Sequence, residues 1–246
     1  MSDWLFDLGN SRLKHAPLVD AGVGEVAGVD HDGVRFAADW EAGLPASIEV
    51  AWVASVGPLP LREALLAALR VRARHVVVVA TSGEFAGITI AYPQPGRLGV
   101  DRALAMAAAH ARARGWSLVV GVGTALTVDL VDGGGLHRGG RIAPSPAVMR
   151  EALHARAAQL PREGGEYTEF AADTDDALAA GCIGAALGLV ERSVREATVL
   201  AGEAPRLWLH GGGAAALLPH VDAAAHAPAL VLEGLALRAR MREDAG

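Results

Sequence analysis

Several kinds of residue and segment are scarce in this chain, and each scarcity excludes a class of protein. Cys182 is the only cysteine, so no disulfide forms within the chain and a reducing compartment is expected. Lysine and arginine number 22 against 28 aspartate and glutamate residues, and the net charge of −6 argues against nucleic-acid and membrane-surface binding. No apolar run approaches about 18 residues, and no basic segment followed by an apolar stretch opens the chain, so neither a membrane span nor a signal peptide is expected. We therefore expect a soluble, cytoplasmic protein.

Hydrophobic residues make up 52% of the chain but aromatic residues only 4%, so the core must be built mostly from alanine, valine and leucine. A length of 246 residues suits one large domain or two of ordinary size. Residues 4–29 read as strand, glycine turn, strand, glycine turn and strand, and this order returns at residues 118–143. The repeat predicts two α/β halves, residues 1–114 and 115–246, divided near Gly115.

The opening stretch carries the first chemical signal. An apolar run ends in the carboxylate of Asp7, and the residues that follow are small or polar: Gly9, Asn10, Ser11 and Lys14. A strand, a tight turn and a returning strand would present backbone N–H groups, an amide, a hydroxyl and an ammonium on one side. Such donors suit phosphate, and a carboxylate at the mouth of the turn can hold Mg²⁺.

Two more glycine turns follow predicted strands, at Gly123-Thr124 and at residues 211–213. An ordinary hairpin accounts for any one of the three turns by itself. Their order along a duplicated chain is more specific. Two facing phosphate turns and a third glycine turn would hold a nucleoside triphosphate across a cleft.

With these motifs assembled, the chain resembles the type III pantothenate kinases of the acetate kinase, sugar kinase, Hsp70 and actin superfamily. The matching stretches span nearly the whole chain in the family's order: residues 7–14, Tyr92, residues 99–102, 123–129, 139–144, 173–177 and 211–213. The resemblance implies an α/β fold of duplicated actin-like (ribonuclease H-like) domains, each a mixed sheet flanked by helices, with an ATP cleft between them. It also implies ATP-dependent phosphorylation of pantothenate to 4'-phosphopantothenate, the first step of coenzyme A biosynthesis.

The resemblance further implies a role for each matching residue. Asp101 would be the general base that takes the proton from the pantothenate hydroxyl, and Asp7 would lie near Mg²⁺ and the phosphates. ATP would be bound by residues of the three turns: Asp7, Gly9, Asn10, Ser11, Lys14, Thr124, Gly211 and Gly212. Pantothenate would be bound by a second group: Tyr92, Gly99, Val100, Arg102 and Thr174. The roles are chemically consistent, because phosphoryl transfer needs positioning, charge neutralisation and a carboxylate that orients the attacking hydroxyl. The guanidinium fork of Arg102 also suits a substrate that carries a carboxylate.

Each assignment has a structural alternative that the sequence leaves open. Asp101 can be a helix N-cap only, and Asp7 can be only a cap of its turn. Arg102 can be a solvated helix charge, Tyr92 an ordinary strand aromatic and Thr174 a cap. The histidines show no convincing metal spacing, so none of the nine is given a role.

The chain departs from the family pattern at two positions. The family commonly has an aspartate two residues before the glycine of the second turn and associates it with a monovalent cation, but this chain has Gly121 there. A K⁺ or NH₄⁺ site is therefore in doubt, and weak cation dependence is expected. Ser145 stands where the family usually has glycine, which alters the turn into the next helix without removing a catalytic group.

The resemblance also implies a homodimer, and the long helix predicted from Thr174 is a candidate interface. Its Gly181, Gly184 and Gly188 indicate close packing against another element. Two other functions stay open: another small-molecule kinase of the superfamily, and a non-catalytic binding or regulatory relative of the same fold. Those kinases are generally longer and lack the Gly-x-Asp-Arg stretch. Retention of the matching acidic and basic residues argues against a non-catalytic relative.

Overall fold

Two mixed β-sheets organise the chain in a computed structural model, which describes residues 2–243. Each sheet belongs to one of two compact units. The first unit contains residues 2–113, 135–137 and 229–243, and the second contains residues 114–134 and 138–228. The sequence predicts that residues 115–246 form one half, whereas the structure places the C-terminal helix with the first unit.

The elements are numbered along the chain. The strands are β1 (Ser2–Leu8), β2 (Arg12–Val19), β3 (Gly22–Val23), β4 (Ala27–Asp30), β5 (Ile48–Ser55), β6 (Ala73–Val78), β7 (Glu84–Phe85), β8 (Ile88–Thr89), β9 (Ser117–Val122), β10 (Ala125–Val131), β11 (His137–Pro144), β12 (Arg206–His210) and β13 (Ala225–His226). The helices are α1 (Leu59–Arg70), α2 (Val100–Arg112), α3 (Pro146–Arg156), α4 (Thr174–Ala201), α5 (Ala214–Leu217) and α6 (Leu230–Glu243). Short 3₁₀ turns cover Trp40–Gly43, Pro95–Arg97 and Leu218–His220.

The first unit is built on the sheet β3-β2-β1-β5-β6, with β4 also paired to β2. The hairpin β1–β2 is antiparallel, and β5 and β6 follow in parallel register. Phe6, Leu8 and Val53 of this sheet pack with Leu65 and Leu69 of α1. These α1 leucines are fully buried, and burying each stabilises the fold by about 2 kcal/mol.

The second unit repeats this plan in the sheet β11-β10-β9-β12-β13. Strands β9 and β10 form an antiparallel hairpin, and β12 lies parallel to β9 on its other side. The core is formed by β-branched and leucine side chains of these strands against α4, including Val120, Val128, Leu187 and Val190. Both units therefore contain a mixed sheet flanked by helices, with the same strand order, as expected for duplicated actin-like domains.

One strand differs from expectation in its burial. The β-branched run that forms β6 indicates a buried parallel strand, and β6 is parallel to β5 as predicted. However, β6 is the last strand of its sheet, and half of its residues are exposed. A β-branched run favours a strand without revealing whether a neighbour covers it on both sides.

Helix α4 also differs in its details. Its N-cap is Asp173, which accepts hydrogen bonds from the backbone N–H groups of Asp175 and Asp176, so the prediction of a cap at Thr174 or Asp175 is wrong. The sequence predicts close packing at Gly181, Gly184 and Gly188. A Cβ added to any of the three meets no atom of another described element within 4 Å, so this prediction is wrong within the described residues. By length and composition alone α4 is apolar enough to cross a membrane, although 39% of its most apolar window is buried inside the protein.

Candidate active site

The first glycine turn is fixed at both ends by backbone hydrogen bonds. The register Asp7↔Lys14 and Leu8↔Leu13 carries the β1–β2 hairpin up to the turn. The Gly9 N–H donates to the carbonyl of Arg12 at 3.1 Å, which closes the turn. Asn10 and Ser11 are exposed at its tip, as a ligand-binding turn requires. The predicted hairpin is confirmed.

Asp7 lies at the end of β1, and its carboxyl group is perturbed. Burial is the main cause that raises the pKa of Asp7 to about 7; the charge of Asp101 contributes to this rise, while Lys14 acts in the opposite direction. Residues 7 and 101 are far apart in the sequence, so the fold brings together the two carboxylates that the sequence singles out. Two carboxylates in one partly desolvated place repel each other, and a cation or a shared proton relieves that repulsion.

Asp101 lies in the first turn of α2, where a negative charge interacts favourably with the helix dipole. The N-cap is Gly99, not Asp101, so the alternative that Asp101 only caps the helix is wrong. A Cβ added to Gly99 would lie 2.5 Å from Oδ1 of Asp101. Glycine at position 99 therefore leaves the room in which the Asp101 carboxylate lies.

Arg102, the next residue of α2, is only 8% exposed, so it is not a solvated helix charge. Its Nη1 donates to the hydroxyl of Tyr92 at 3.4 Å. The Tyr92 ring stacks on the buried ring of His137, with ring centroids 5.7 Å apart. A guanidinium in a buried place interacts more strongly with an anion than a solvated one does, so this position suits an anionic substrate group. Val100, beside it, is buried with an exposed fraction of 7%.

Sequence reasoning missed two residues that support this group. The Thr81 hydroxyl is buried and donates to the carbonyl of Leu98 at 3.0 Å, which holds the segment leading into α2. His137 supports the ring of Tyr92 from the segment 135–137, which is attached to the first unit through the Thr89 N–H and the Gly135 carbonyl. No local motif marks either residue, because each acts on a partner distant in sequence.

In the second unit, the two remaining glycine turns lie side by side. The Gly123 N–H donates to the carbonyl of Ala125 at 3.0 Å and closes the turn that exposes Thr124. The Gly213 N–H donates to the carbonyl of Val122 at 2.9 Å. Gly211 has φ +93°, and a Cβ there would overlap the same carbonyl, so only glycine fits. Gly212 between them is exposed.

The structure explains why position 121 is a glycine in this chain. It pairs with His210 across β9 and β12, and both residues lie at the ends of their strands. A Cβ added to Gly121 would lie 2.7 Å from Oγ1 of Thr127 and 3.0 Å from Nε2 of His210. A hydroxyl and an imidazole therefore occupy the space that a longer side chain would need.

Thr174 is exposed at the first position of α4 in the second unit. Tyr92, Gly99, Val100 and Arg102 belong to the first unit. The structure thus brings four of the five predicted pantothenate residues together in one unit, and Thr174 belongs to the other.

The residues present fit a Mg²⁺ ion held partly by a ligand. Among residues 2–243, no group of three or more histidine, cysteine, aspartate or glutamate side chains is arranged to hold a metal. Mg²⁺ commonly takes one or two carboxylates and completes its coordination with water and phosphate oxygens. The carboxylate of Asp7, with its raised pKa, is such a donor.

Comparison of the sequence with known proteins gives consistent results. The sequence model of the family described as type III pantothenate kinase matches residues 4–196. A protein of Stenotrophomonas maltophilia (strain R551-3) named type III pantothenate kinase is 56% identical over 236 residues, 96% of each chain. A protein of Xanthomonas euvesicatoria pv. vesicatoria (strain 85-10) with the same name is 52% identical over the same share.

Comparison with solved structures shows the same fold at low sequence identity. A candidate Baf family transcriptional activator from Campylobacter jejuni is 20% identical with a TM-score of 0.65, and the match covers 98% of this chain and 99% of that one. A candidate 2-dehydro-3-deoxygalactonokinase from Sinorhizobium meliloti is 14% identical with a TM-score of 0.55, over 97% of this chain and 98% of that one.

Proposed function

Because the chain belongs to the type III pantothenate kinases, which phosphorylate pantothenate with ATP in the first step of coenzyme A biosynthesis, we propose that it catalyses this transfer at the Asp7–Asp101 carboxylates. One observation carries the proposal. The first unit brings these two carboxylates close enough to interact, and the buried residue Arg102 follows Asp101 in the first turn of the same helix.

Asp101 is the general base in this proposal. Its carboxylate accepts the proton of the pantothenate hydroxyl as that oxygen attacks the γ-phosphate of ATP. Its place in the first turn of α2 stabilises the ionised form that a base needs. Gly99 supports the role by leaving room for the carboxylate.

Arg102 and Tyr92 bind the carboxylate end of pantothenate. The guanidinium pairs with that carboxylate, and its hydrogen bond to the Tyr92 hydroxyl orients the fork. Backbone groups of Gly99 and Val100 line the approach to the hydroxyl, and Thr174 is proposed as a further pantothenate-binding residue from its match to the family pattern alone. Burial of Arg102 favours pairing, because a desolvated cation gains more from an anionic partner than a solvated one.

ATP is bound by the glycine turns. The exposed tip of the first turn offers its amide, hydroxyl and backbone N–H groups to the phosphates, and Lys14 adds a positive charge. Thr124 offers a hydroxyl from the second turn, and Gly211 and Gly212 form the turn next to the adenosine. Asp7 would hold Mg²⁺, and the ion would supply neutralisation of the phosphate charge.

We also propose weak dependence on K⁺ or NH₄⁺. The Thr127 hydroxyl and the His210 imidazole limit the space beside Gly121, so an aspartate does not fit there without displacement. Assays in sodium and in potassium buffers of equal ionic strength test this proposal. Activity that vanishes without K⁺ or NH₄⁺ contradicts it.

The assembly that we propose is a cytoplasmic homodimer. The three glycines of α4 leave an open face on a helix whose opposite face is buried in the second unit, and a second copy can pack closely there. The absence of internal disulfides and the acidic net charge agree with a cytoplasmic location.

Pantothenate-dependent formation of ADP tests the catalytic proposal directly. Wild-type protein is expected to form ADP only when pantothenate is present. Asp101→Asn is expected to lose about 10²–10⁴-fold in kcat while still binding pantothenate in a calorimetric titration. A silent wild type, or an Asp101→Asn variant as fast as wild type, refutes the assignment.

A further inference from the structure

His31 contacts the first phosphate turn, although neither the sequence motifs nor the proposed reaction gives it a role. Its Nε2 lies 3.1 Å from the carbonyl oxygen of Gly9. The two residues are 22 positions apart, and His31 lies just after β4. The turn therefore has a side-chain contact from outside the hairpin that carries it.

The tautomer of His31 follows from its second contact. The backbone N–H of Gly33 donates to Nδ1 at 3.2 Å, so Nδ1 is the acceptor nitrogen of the neutral ring. Nε2 then carries the hydrogen and donates it to the Gly9 carbonyl. Gly33 has φ +89°, which glycine adopts without strain.

The ring is also held in place by its own loop. The Asp32 carboxylate accepts the backbone N–H groups of Val34 at 2.8 Å and Arg35 at 2.6 Å, which closes the loop. Phe36 packs edge-on against the His31 ring at 5.8 Å and stacks on Trp40 at 4.1 Å. A side chain held this way acts as a rigid contact.

The hydrogen bond to Gly9 fixes the orientation of one peptide plane. The carbonyl of Gly9 and the N–H of Asn10 belong to the same trans peptide and point in opposite directions. When the carbonyl points to His31, the Asn10 N–H points away from it. Rotation of this peptide would instead present the carbonyl oxygen, which repels an anion.

We propose that His31 is a positioning residue for the nucleotide, because it holds the Gly9–Asn10 peptide with the Asn10 N–H directed at the phosphates. This inference rests on the proposed function insofar as the first turn binds the phosphates of ATP. The Gly57 backbone lies close to the same carbonyl oxygen, because a Cβ added to Gly57 would be 2.6 Å from it.

Two variants of nearly equal size separate the hydrogen bond from the packing of the ring. His31→Gln keeps an N–H donor, and His31→Met removes it. Loss of one hydrogen bond of about 1–1.5 kcal/mol corresponds to about a 10-fold change. We expect His31→Met to raise KM for ATP and Kd for ADP about 10-fold, with KM for pantothenate within about 2-fold of wild type. For His31→Gln, we expect KM for ATP to stay within about 3-fold of the wild-type value.

His75 provides the matched control, since it is an exposed histidine on the edge strand β6 of the same unit. His75→Met and His75→Gln are expected to leave both KM values unchanged. The proposal is overturned if His31→Met and His31→Gln have equal KM values for ATP. It is also overturned if His31→Met raises KM for pantothenate as much as it raises KM for ATP.

A second measurement needs no variant and remains decisive if His31→Met fails to fold. Nitrogen-15 NMR of wild-type protein distinguishes the two neutral tautomers of each histidine. The proposal requires the Nε2–H tautomer for His31, and the Nδ1–H tautomer overturns it. Calorimetric titration with ADP tests His31 even if wild type does not phosphorylate pantothenate, so failure of the proposed function remains distinguishable.

Discussion

At the scale of single residues, Asp7 combines a functional group with a destabilising position. Its pKa is about 7 in the folded protein, against an ordinary value of 3.8, and burial is the main cause. In the unfolded chain the carboxyl group loses its proton at lower pH. The free energy of unfolding therefore falls as the pH rises from about 4 to about 7, and stays low above that.

Replacing Asp7 with asparagine should separate stability from activity. We expect Asp7→Asn to abolish turnover, because the proposed Mg²⁺ ligand is lost, and to raise the free energy of unfolding at pH 8 by about 2 kcal/mol. This free energy is smaller than the full equivalent of the pKa shift, because Asp7 is partly exposed and solvent screens its charge. At pH 4 the gain should vanish. Urea unfolding at both pH values, with EDTA present, measures the difference, and an equal gain at both contradicts the assignment.

Gly99 gives a second residue-scale prediction. A methyl group at this position would overlap Oδ1 of Asp101, so Gly99→Ala should displace the proposed base and lower kcat by about 10- to 100-fold. Gly96 is the control, since a Cβ there meets no atom within 4 Å. Steady-state kinetics of both alanine variants test the effect. Equal kcat values for Gly99→Ala and Gly96→Ala show that the Asp101 carboxylate does not need this space.

The residues proposed to carry the chemistry stand in sequence motifs, whereas those proposed to position them do not. Asp7, Asp101 and Arg102 stand in recognisable motifs, and the structure brings all three into the first unit. Thr81 and His31 act through hydrogen bonds to carbonyl groups 17 and 22 positions away. A contact that depends on a distant backbone leaves no local pattern in the sequence.

At the scale of elements, helix packing in the first unit depends on one glycine. Helices α2 and α6 are neighbours, and a Cβ added to Gly234 of α6 would overlap the carbonyl of Leu104 in α2. The buried alanines of α2 permit the same close approach from the other side. The two helix backbones therefore come nearer than ordinary side chains permit.

A methyl group at Gly234 should force these helices apart. We expect Gly234→Ala to lower the free energy of unfolding by about 2–3 kcal/mol, because overpacking outweighs the better helix propensity of alanine. Gly43→Ala, exposed and with no atom near the added Cβ, should change it by less than about 0.5 kcal/mol. Chemical denaturation of both variants gives the comparison. If Gly234→Ala is more stable than wild type, the two helices have room for a methyl group at this position.

Strands and turns lie close to their predicted positions where a local sequence pattern predicts them. The hairpin β1–β2 and the strands β9 and β10 lie where alternation and glycine turns predict them. The predicted cap of α4 and the predicted burial of β6 were wrong. Several acidic residues at the start of α4 compete for the cap, and strand order depends on which strands pair in space.

At the scale of the whole molecule, the shared strand order of the two sheets agrees with the repeat that the sequence shows. The sequence did not indicate that the last helix joins the first unit. A hydrophobic pattern predicts a helix, but it does not indicate which sheet that helix packs against. We propose that the division at residues 114 and 115 is the boundary of an ancient duplication, with α6 returned to the first half.

The proposed homodimer gives the prediction at this scale. Wild-type protein is expected to sediment as a dimer. Gly188→Leu is expected to give a monomer with unchanged secondary structure, because a leucine on the open face of α4 blocks close helix contact. Val26→Leu, on the partly exposed surface of the first unit, is the control and should stay dimeric. Sedimentation velocity over a range of concentrations distinguishes the states, and a monomeric wild type refutes the dimer.

The return of α6 to the first unit has a consequence for synthesis on the ribosome. The apolar surfaces of α6, including Leu232, Leu235 and Ala239, complete the core beside α2 and β1. At the usual rate of about 5–20 residues per second, roughly ten seconds separate the emergence of α2 from that of α6. During this interval the nascent N-terminal segment exposes the surface that α6 later covers. Chaperones that bind exposed apolar segments should therefore associate with ribosome-bound chains until α6 has emerged and packed against this surface.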